Sequence, residues 1–195
     1  MDTTRTFIAV FPPPDVVERI ARAVDALKQP GDGVGWVRPA NVHYTLRFLG
    51  DLDDAAVAAA RRAAADAARA AAPFRVTLGA PGQFPNDRRP RILWLGAAAG
   101  APALTALAAG LEAALLAEGL GPADKPFTPH LTLGRVRDTA DGPGVAARFK
   151  AGEFPGDVFE VGELVVVKST LDPKGARYEP LAKERLSRGS VPGLS

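Results

Sequence analysis

His43-Tyr44-Thr45-Leu46 and His130-Leu131-Thr132-Leu133 are the segments from which the architecture of this chain is read. They hold both histidines of a 195-residue sequence, and they agree at three of four positions. With 10 Thr and 20 Leu in the chain, two independent draws give the shared pattern with a probability on the order of 10⁻⁵. On a strand, alternate side chains share a face, so His43 and Thr45 point one way while Tyr44 and Leu46 point the other; the second copy repeats this. Each half of the chain also shows the same order. A proline precedes His-x-Thr-Leu, a helical segment follows, and Phe-x-Val opens another strand: Phe74-Arg75-Val76 in one half, Phe159-Glu160-Val161 in the other. Such a duplication predicts a two-lobed, pseudo-symmetric molecule in which two imidazoles and two hydroxyls converge on one groove.

Outward from these segments, hydrophobic spacing predicts the remaining elements. Arg5–Phe11 reads as a strand stopped by Pro12, Pro13 and Pro14, and Asp15–Leu27 as an amphipathic helix with Val16, Ile20, Val24 and Leu27 on one face. Short strands are predicted at Gly35–Val37 and His43–Leu49, and an alanine-rich helix at Asp53–Ala71 begins beside Asp51, Asp53 and Asp54. Phe74–Leu78 and Arg91–Gly96 read as strands around a loop at Ala80–Pro90, followed by a helix at Pro102–Glu118. His130–Val136, Val158–Thr170 and Tyr178–Leu186 read as strands, with a short helical piece at Val145–Phe149. Hairpin-length connections favour an α+β fold with antiparallel sheets over a doubly wound parallel one. The expectation is one bilobal domain over 1–195, each lobe an antiparallel sheet with helices on its outer face and the groove between the lobes.

The length fits one domain, and 47% hydrophobic with 24% charged residues excludes wholesale disorder. The absence of cysteine excludes disulfides, a thiolate nucleophile, iron–sulfur clusters and cysteine-based zinc sites. With no leader-like start and no apolar run of membrane-spanning length, the chain reads as a soluble cytoplasmic protein with no membrane contact and no obligatory protein partner evident. Its 18 Arg against 6 Lys suit bidentate phosphate recognition, although a GC-rich coding bias, visible in 37 Ala, gives the same excess.

Two imidazoles with an ordinary pKa of about 6.5 can serve as acid and base at neutral pH, and each threonine hydroxyl can donate to a phosphoryl oxygen. A zinc site would need carboxylates to complete two histidines, and neither His-x-Thr-Leu segment carries one. No metal or other cofactor is expected. Arg88, Arg89 and Arg91 either track an RNA backbone or form a solvated turn; Phe11, Phe48, Phe84 and Phe127 either stack bases or pack in the core.

The extended segments His43-Tyr44-Thr45-Leu46-Arg47-Phe48-Leu49-Gly50 and His130-Leu131-Thr132-Leu133-Gly134-Arg135 resemble the paired signatures of the two-histidine phosphoesterase superfamily. Within it, the closest resemblance is to the bacterial RNA 2′,3′-cyclic phosphodiesterases, also called 2′-5′ RNA ligases. Phe7-Ile8-Ala9-Val10, Arg91-Ile92-Leu93-Trp94-Leu95-Gly96 and Ser169-Thr170-Leu171 with Gly175 and Tyr178 look like the same family, so the likeness spans nearly the whole chain. The resemblance implies metal-independent opening of an RNA 2′,3′-cyclic phosphate by water to a 2′-phosphate, with reversible 2′-5′ ligation possible. It implies that His130 is the proton acceptor, His43 the proton donor, and Thr45 and Thr132 the holders of the non-bridging oxygens. Arg135 and Arg47 are candidate phosphate contacts, although strand alternation sets Arg47 with His43 and Arg135 opposite His130. Two other readings stay open: hydrolysis of a small cyclic-phosphate nucleotide, and a non-catalytic module that binds RNA ends.

Overall fold

A proline starts the first helix and aspartates cap two others, while strand ends follow turns. The computed structural model describes residues 3–138, 140–173 and 175–187. In chain order the elements are β1 (Thr4–Val10), α1 (Pro14–Leu27), β2 (Val34–Trp36), β3 (Tyr44–Leu52), α2 (Asp54–Ala70), β4 (Phe74–Phe84) and β5 (Ile92–Ala99). Then come α3 (Ala101–Ala117), β6 (Leu131–Val136), α4 (Gly142–Lys150), β7 (Val158–Val161), β8 (Glu163–Thr170) and β9 (Arg177–Arg185). Pro14 takes the first turn of α1, where its missing N–H costs nothing, and Val16, Ile20 and Val24 bury one face. The Asp53 carboxylate accepts from the Ala56 N–H at the start of α2, and Asp141 does the same for Gly144 in α4. Six alanines of α2 are buried, and their small side chains let it lie against α3, whose Leu104, Leu107, Leu111 and Leu115 are buried too.

The strands form one curled antiparallel sheet in the order β7-β4-β5-β6-β3-β1-β8-β9, with β2 paired to β6 beside this path. Its centre is thin. β3 and β6 meet only at Tyr44 and Leu131, so the sheet divides into halves of five strands (β2 included) and four, joined at that pair. Both residues are fully buried in a hydrophobic cluster that takes Ile8 and Val166 from one half and Val76 and Leu93 from the other. Helices also cross. α1 leaves β1 and reaches the opposite half, where Arg19 Nε lies 2.9 Å from Asp157 and the Leu27 carbonyl accepts from Arg148 Nε at 3.1 Å. α3 leaves β5 and packs on α2 and β3.

The α+β antiparallel class is therefore as the sequence predicts, but three details differ. The Phe-x-Val segments are not equivalent positions of two lobes; they pair directly, Phe74 with Val161 and Val76 with Phe159. The predicted strand Val158–Thr170 is two strands, because the chain breaks at Gly162 and passes from the outer edge of one half to the interior of the other. The predicted loop Ala80–Pro90 begins only after Phe84. Two register shifts let β4 carry Gly79, Ala80 and Pro81 through irregular pairing and resume with Gly82–Phe84 against β5.

Candidate active site

Both His-x-Thr strands carry a bulge at the same point. Opposite β1, Arg47 pairs with Ile8 and Thr45 with Ala9, so Leu46 is the extra residue. Opposite β5, Gly134 pairs with Leu93 and Thr132 with Trp94, so Leu133 is extra. A bulge resets the alternation of side chains beyond it. Leu46 and Leu133 stay buried, and the residues two further on, Phe48 and Arg135, return to the face of Thr45 and Thr132. The antiparallel Tyr44–Leu131 pair, extended one residue each way, sets His43 across from Thr132 and Thr45 across from His130.

Each histidine is fixed through Nδ1, which donates at 2.7 Å to a carbonyl two residues earlier, that of Asn41 for His43 and that of Thr128 for His130. The neutral ring then presents Nε2 as an acceptor. For His43 that acceptor meets the Thr45 hydroxyl at 2.8 Å. Aromatic rings wall both imidazoles. Phe7 stacks on His43 with centroids 4.8 Å apart, Phe11 and Tyr178 close its other sides, and Phe84 stands edge-on to His130 at 5.2 Å. Burial pushes His43 down to about 4, against the support of the Asn41 carbonyl, and the positive charges of His130 and Arg135 add to the depression. Burial also raises the Tyr178 phenol, while Arg135 pulls it the other way.

A cavity of about 660 Å³ opens over this face, lined by His43, Thr45, Thr132 and Arg135; His130 is not among its described lining residues and packs against Phe84 and Trp94. The lining contains Arg5, Arg38 and Arg137 as well, with the rings of Phe7, Trp36, Phe48 and Tyr178. Among the described lining residues there is no carboxylate, so the cavity favours an anion. Across its mouth, Arg38 holds the Gly175 carbonyl and Asn41 Nδ2 holds that of Ala176 at 2.8 Å. Gly175 needs to be glycine there: its φ is +106°, and a Cβ would lie 3.0 Å from the Arg38 guanidinium.

Of the six predicted site residues, His43, Thr45, Thr132 and Arg135 line the cavity, His130 lies outside that lining, and the fold turns away Arg47. The bulge at Leu46 aims it toward the helices, where its guanidinium lies 3.6 Å from Glu112 and donates to the Gly121 carbonyl. Alternation had set Arg47 with His43 and Arg135 opposite His130; the bulges reverse both. Phe48 is half exposed in the cavity, Phe11 and Phe84 pack on the histidines, and Phe127 joins the core. The sequence reading missed Arg5, Trp36, Arg38 and Arg137. Only Arg137 left a trace in the sequence, since it follows Arg135 at strand spacing.

The chemistry available here is proton transfer around an anionic ester, and the chain is an enzyme of the phosphodiesterase class. It belongs to the 2′-5′ RNA ligase superfamily, whose profile it matches over residues 12–173. A relative from Aquifex aeolicus named RNA 2′,3′-cyclic phosphodiesterase is 34% identical over 184 residues, covering 91% of this chain and 95% of its own. A relative of the same name from Thermus thermophilus is 36% identical, over 92% of this chain and 88% of its own. The crystal structure of a Thermus thermophilus protein superposes with a TM-score of 0.77 at 32% identity, covering 95% of this chain and all of that one (100%). That of E. coli LigT complexed with 3′-AMP gives 0.75 at 26% identity, covering 96% and 100%. No described helix is long and apolar enough to cross a membrane.

Proposed function

We propose that this protein hydrolyses RNA 2′,3′-cyclic phosphate ends to 2′-phosphates without a metal ion. The observation that carries the reading is the paired presentation of His43, Thr45, Thr132 and Arg135 in a cavity whose described lining has four guanidinium groups and no carboxylate. The names of the relatives supply the substrate class. Water attacks phosphorus as His130 takes its proton, the P–O3′ bond breaks, and His43 protonates the departing 3′-oxygen. Thr45 and Thr132 donate to the non-bridging oxygens, and Arg135 offsets the charge that develops on them. With the 5′-hydroxyl of a second RNA in place of water, the same steps form a 2′-5′ bond, and their reversal cleaves it. Among the described residues no cluster of three or more His, Asp and Glu side chains is placed to hold a metal, and every step above is carried by the chain's own groups.

The low proton affinity of His43 bears on the assignment. In the free protein it is neutral at pH 7, so as the acid it must gain its proton with the substrate. A bound phosphate anion favours that gain by offsetting the charge of Arg135. The same neutral state supports a second reading, in which His43 is the base and His130 the acid.

The test is incubation with a short RNA ending in a 2′,3′-cyclic phosphate. A 2′-phosphate product, unchanged after dialysis against a strong chelator, is expected. A 3′-phosphate product, or a rate that needs zinc or manganese to return, would overturn the proposal.

A further inference from the structure

A second hollow adjoins the catalytic cavity at the far end of β6. Its volume is about 140 Å³, and Arg137 lines both spaces. Arg88, Arg89 and Arg91 line the second one with Arg137, and Asp138 is the one acid among its described lining residues. That acid is taken, since it forms an ion pair with Arg91. The loop carrying Arg88 and Arg89 has a fixed backbone: Asn86 Oδ1 accepts from both of their N–H groups at 3.1 Å. The loop's one carboxylate, Asp87, is held by Lys150 at 3.3 Å and by Gln83. Arg88, Arg89 and Arg137 therefore present guanidinium groups with no carboxylate partner among the described residues, in a hollow that shares Arg137 with the cavity of Arg135.

The spacing has a direction. Arg135 and Arg137 are two residues apart, roughly 7 Å if extended, and Arg137 joins the catalytic cavity to the hollow that Arg88 and Arg89 line. One cyclic phosphate occupies the histidines and threonines. Cations beyond them act only on further phosphates of the same ligand. Building on the function proposed above, we propose that Arg137, Arg88 and Arg89 form a track for the RNA backbone on the 5′ side of the cyclic phosphate. The enzyme is thereby suited to polynucleotide ends over cyclic mononucleotides. Phosphate contacts of this kind position a strand without reading its sequence, so the track is indifferent to base identity.

The experiment measures binding and turnover separately. Dissociation constants are determined for a 2′-phosphate-ended mononucleotide and an octaribonucleotide at several salt concentrations, and kcat/KM is measured on the matching cyclic ends. Wild type should bind the octamer at least about 10-fold more tightly at low salt, with a clear salt dependence. The double substitution Arg88→Ala/Arg89→Ala should remove most of that gain and lower the log–log salt slope by about 1.4, two contacts at roughly 0.7 each on a single strand. Turnover of the cyclic mononucleotide should not change. Arg88→Lys/Arg89→Lys should restore the slope, because an ammonium group also neutralises phosphate. Equal affinity for the two lengths in wild type, or an octamer affinity indifferent to the double alanine substitution, would overturn the track. Length-dependent, salt-sensitive binding with no turnover of any cyclic end would support the track and overturn the phosphodiesterase reading alone.

Discussion

Phe48 and Arg135 occupy equivalent positions of the two His-x-Thr strands. Each follows its histidine by five residues, each lies just beyond a bulge at a buried leucine, and each lines the cavity. One strand thus offers an aromatic ring where the other offers a cation. Arg5 rests over the Phe48 ring at 4.6 Å from its centroid, so that wall also gains a guanidinium. The matched histidines therefore sit in unmatched surroundings.

This relationship separates two arginines that look alike in sequence. Arg47→Ala removes the partner of Glu112 and the donor to the Gly121 carbonyl, and should lower stability by about 1–3 kcal/mol with little change in kcat/KM. Arg135→Ala removes an exposed cavity cation with no ion pair among the described residues, and should cost roughly 10²-fold in rate with little change in Tm. Thermal melts and steady-state kinetics on the two variants check both halves. Exchange of the two phenotypes would mean that the bulge at Leu46 does not orient the strand as described.

Thr132 shares the cavity face with His43. Replacing its hydroxyl in Thr132→Val should slow turnover by roughly 10²–10³-fold through loss of one phosphoryl donor, while leaving Tm nearly unchanged. Normal turnover in this variant would remove the threonines from the mechanism.

The two histidines can be told apart by leaving group. Expelling a ribose alkoxide benefits greatly from protonation, whereas a nitrophenolate leaves unaided. His43→Ala should therefore lose far more activity on the cyclic RNA end than on a nitrophenyl phosphodiester, and His130→Ala should be impaired on both. The opposite pattern would exchange their roles.

His43 also links folding to pH. Its pKa is lowered from 6.5 to about 4, so between those values the unfolded chain binds a proton that the folded chain refuses. The contribution is complete above about pH 6.5 and is lost as pH falls toward 4, at about 1.4 kcal/mol for each pH unit crossed between the two values. Urea unfolding at a series of pH values should show a shallower decline for His43→Asn than for wild type. Parallel curves would mean that the proton affinity of His43 is unperturbed.

The sequence by itself determined the repeated His-x-Thr-Leu pattern, the α+β class, and the sharing of one face by His43 and Thr45. These follow from period-two geometry within a few residues, which a single strand dictates whatever lies beside it. The paired signature also pointed to the family and to Arg135. Only the tertiary structure decided what depends on neighbouring strands. The bulges at Leu46 and Leu133 arise from pairing with β1 and β5, and they send Arg47 to the helices while bringing Phe48 and Arg135 to the cavity. The break at Gly162, the direct pairing of the two Phe-x-Val segments and the gathering of Arg5, Arg38 and Arg137 around one space likewise join distant parts of the chain. The low proton affinity of His43 belongs to that second group, because burial and the charges of His130 and Arg135 exist only once the halves have met.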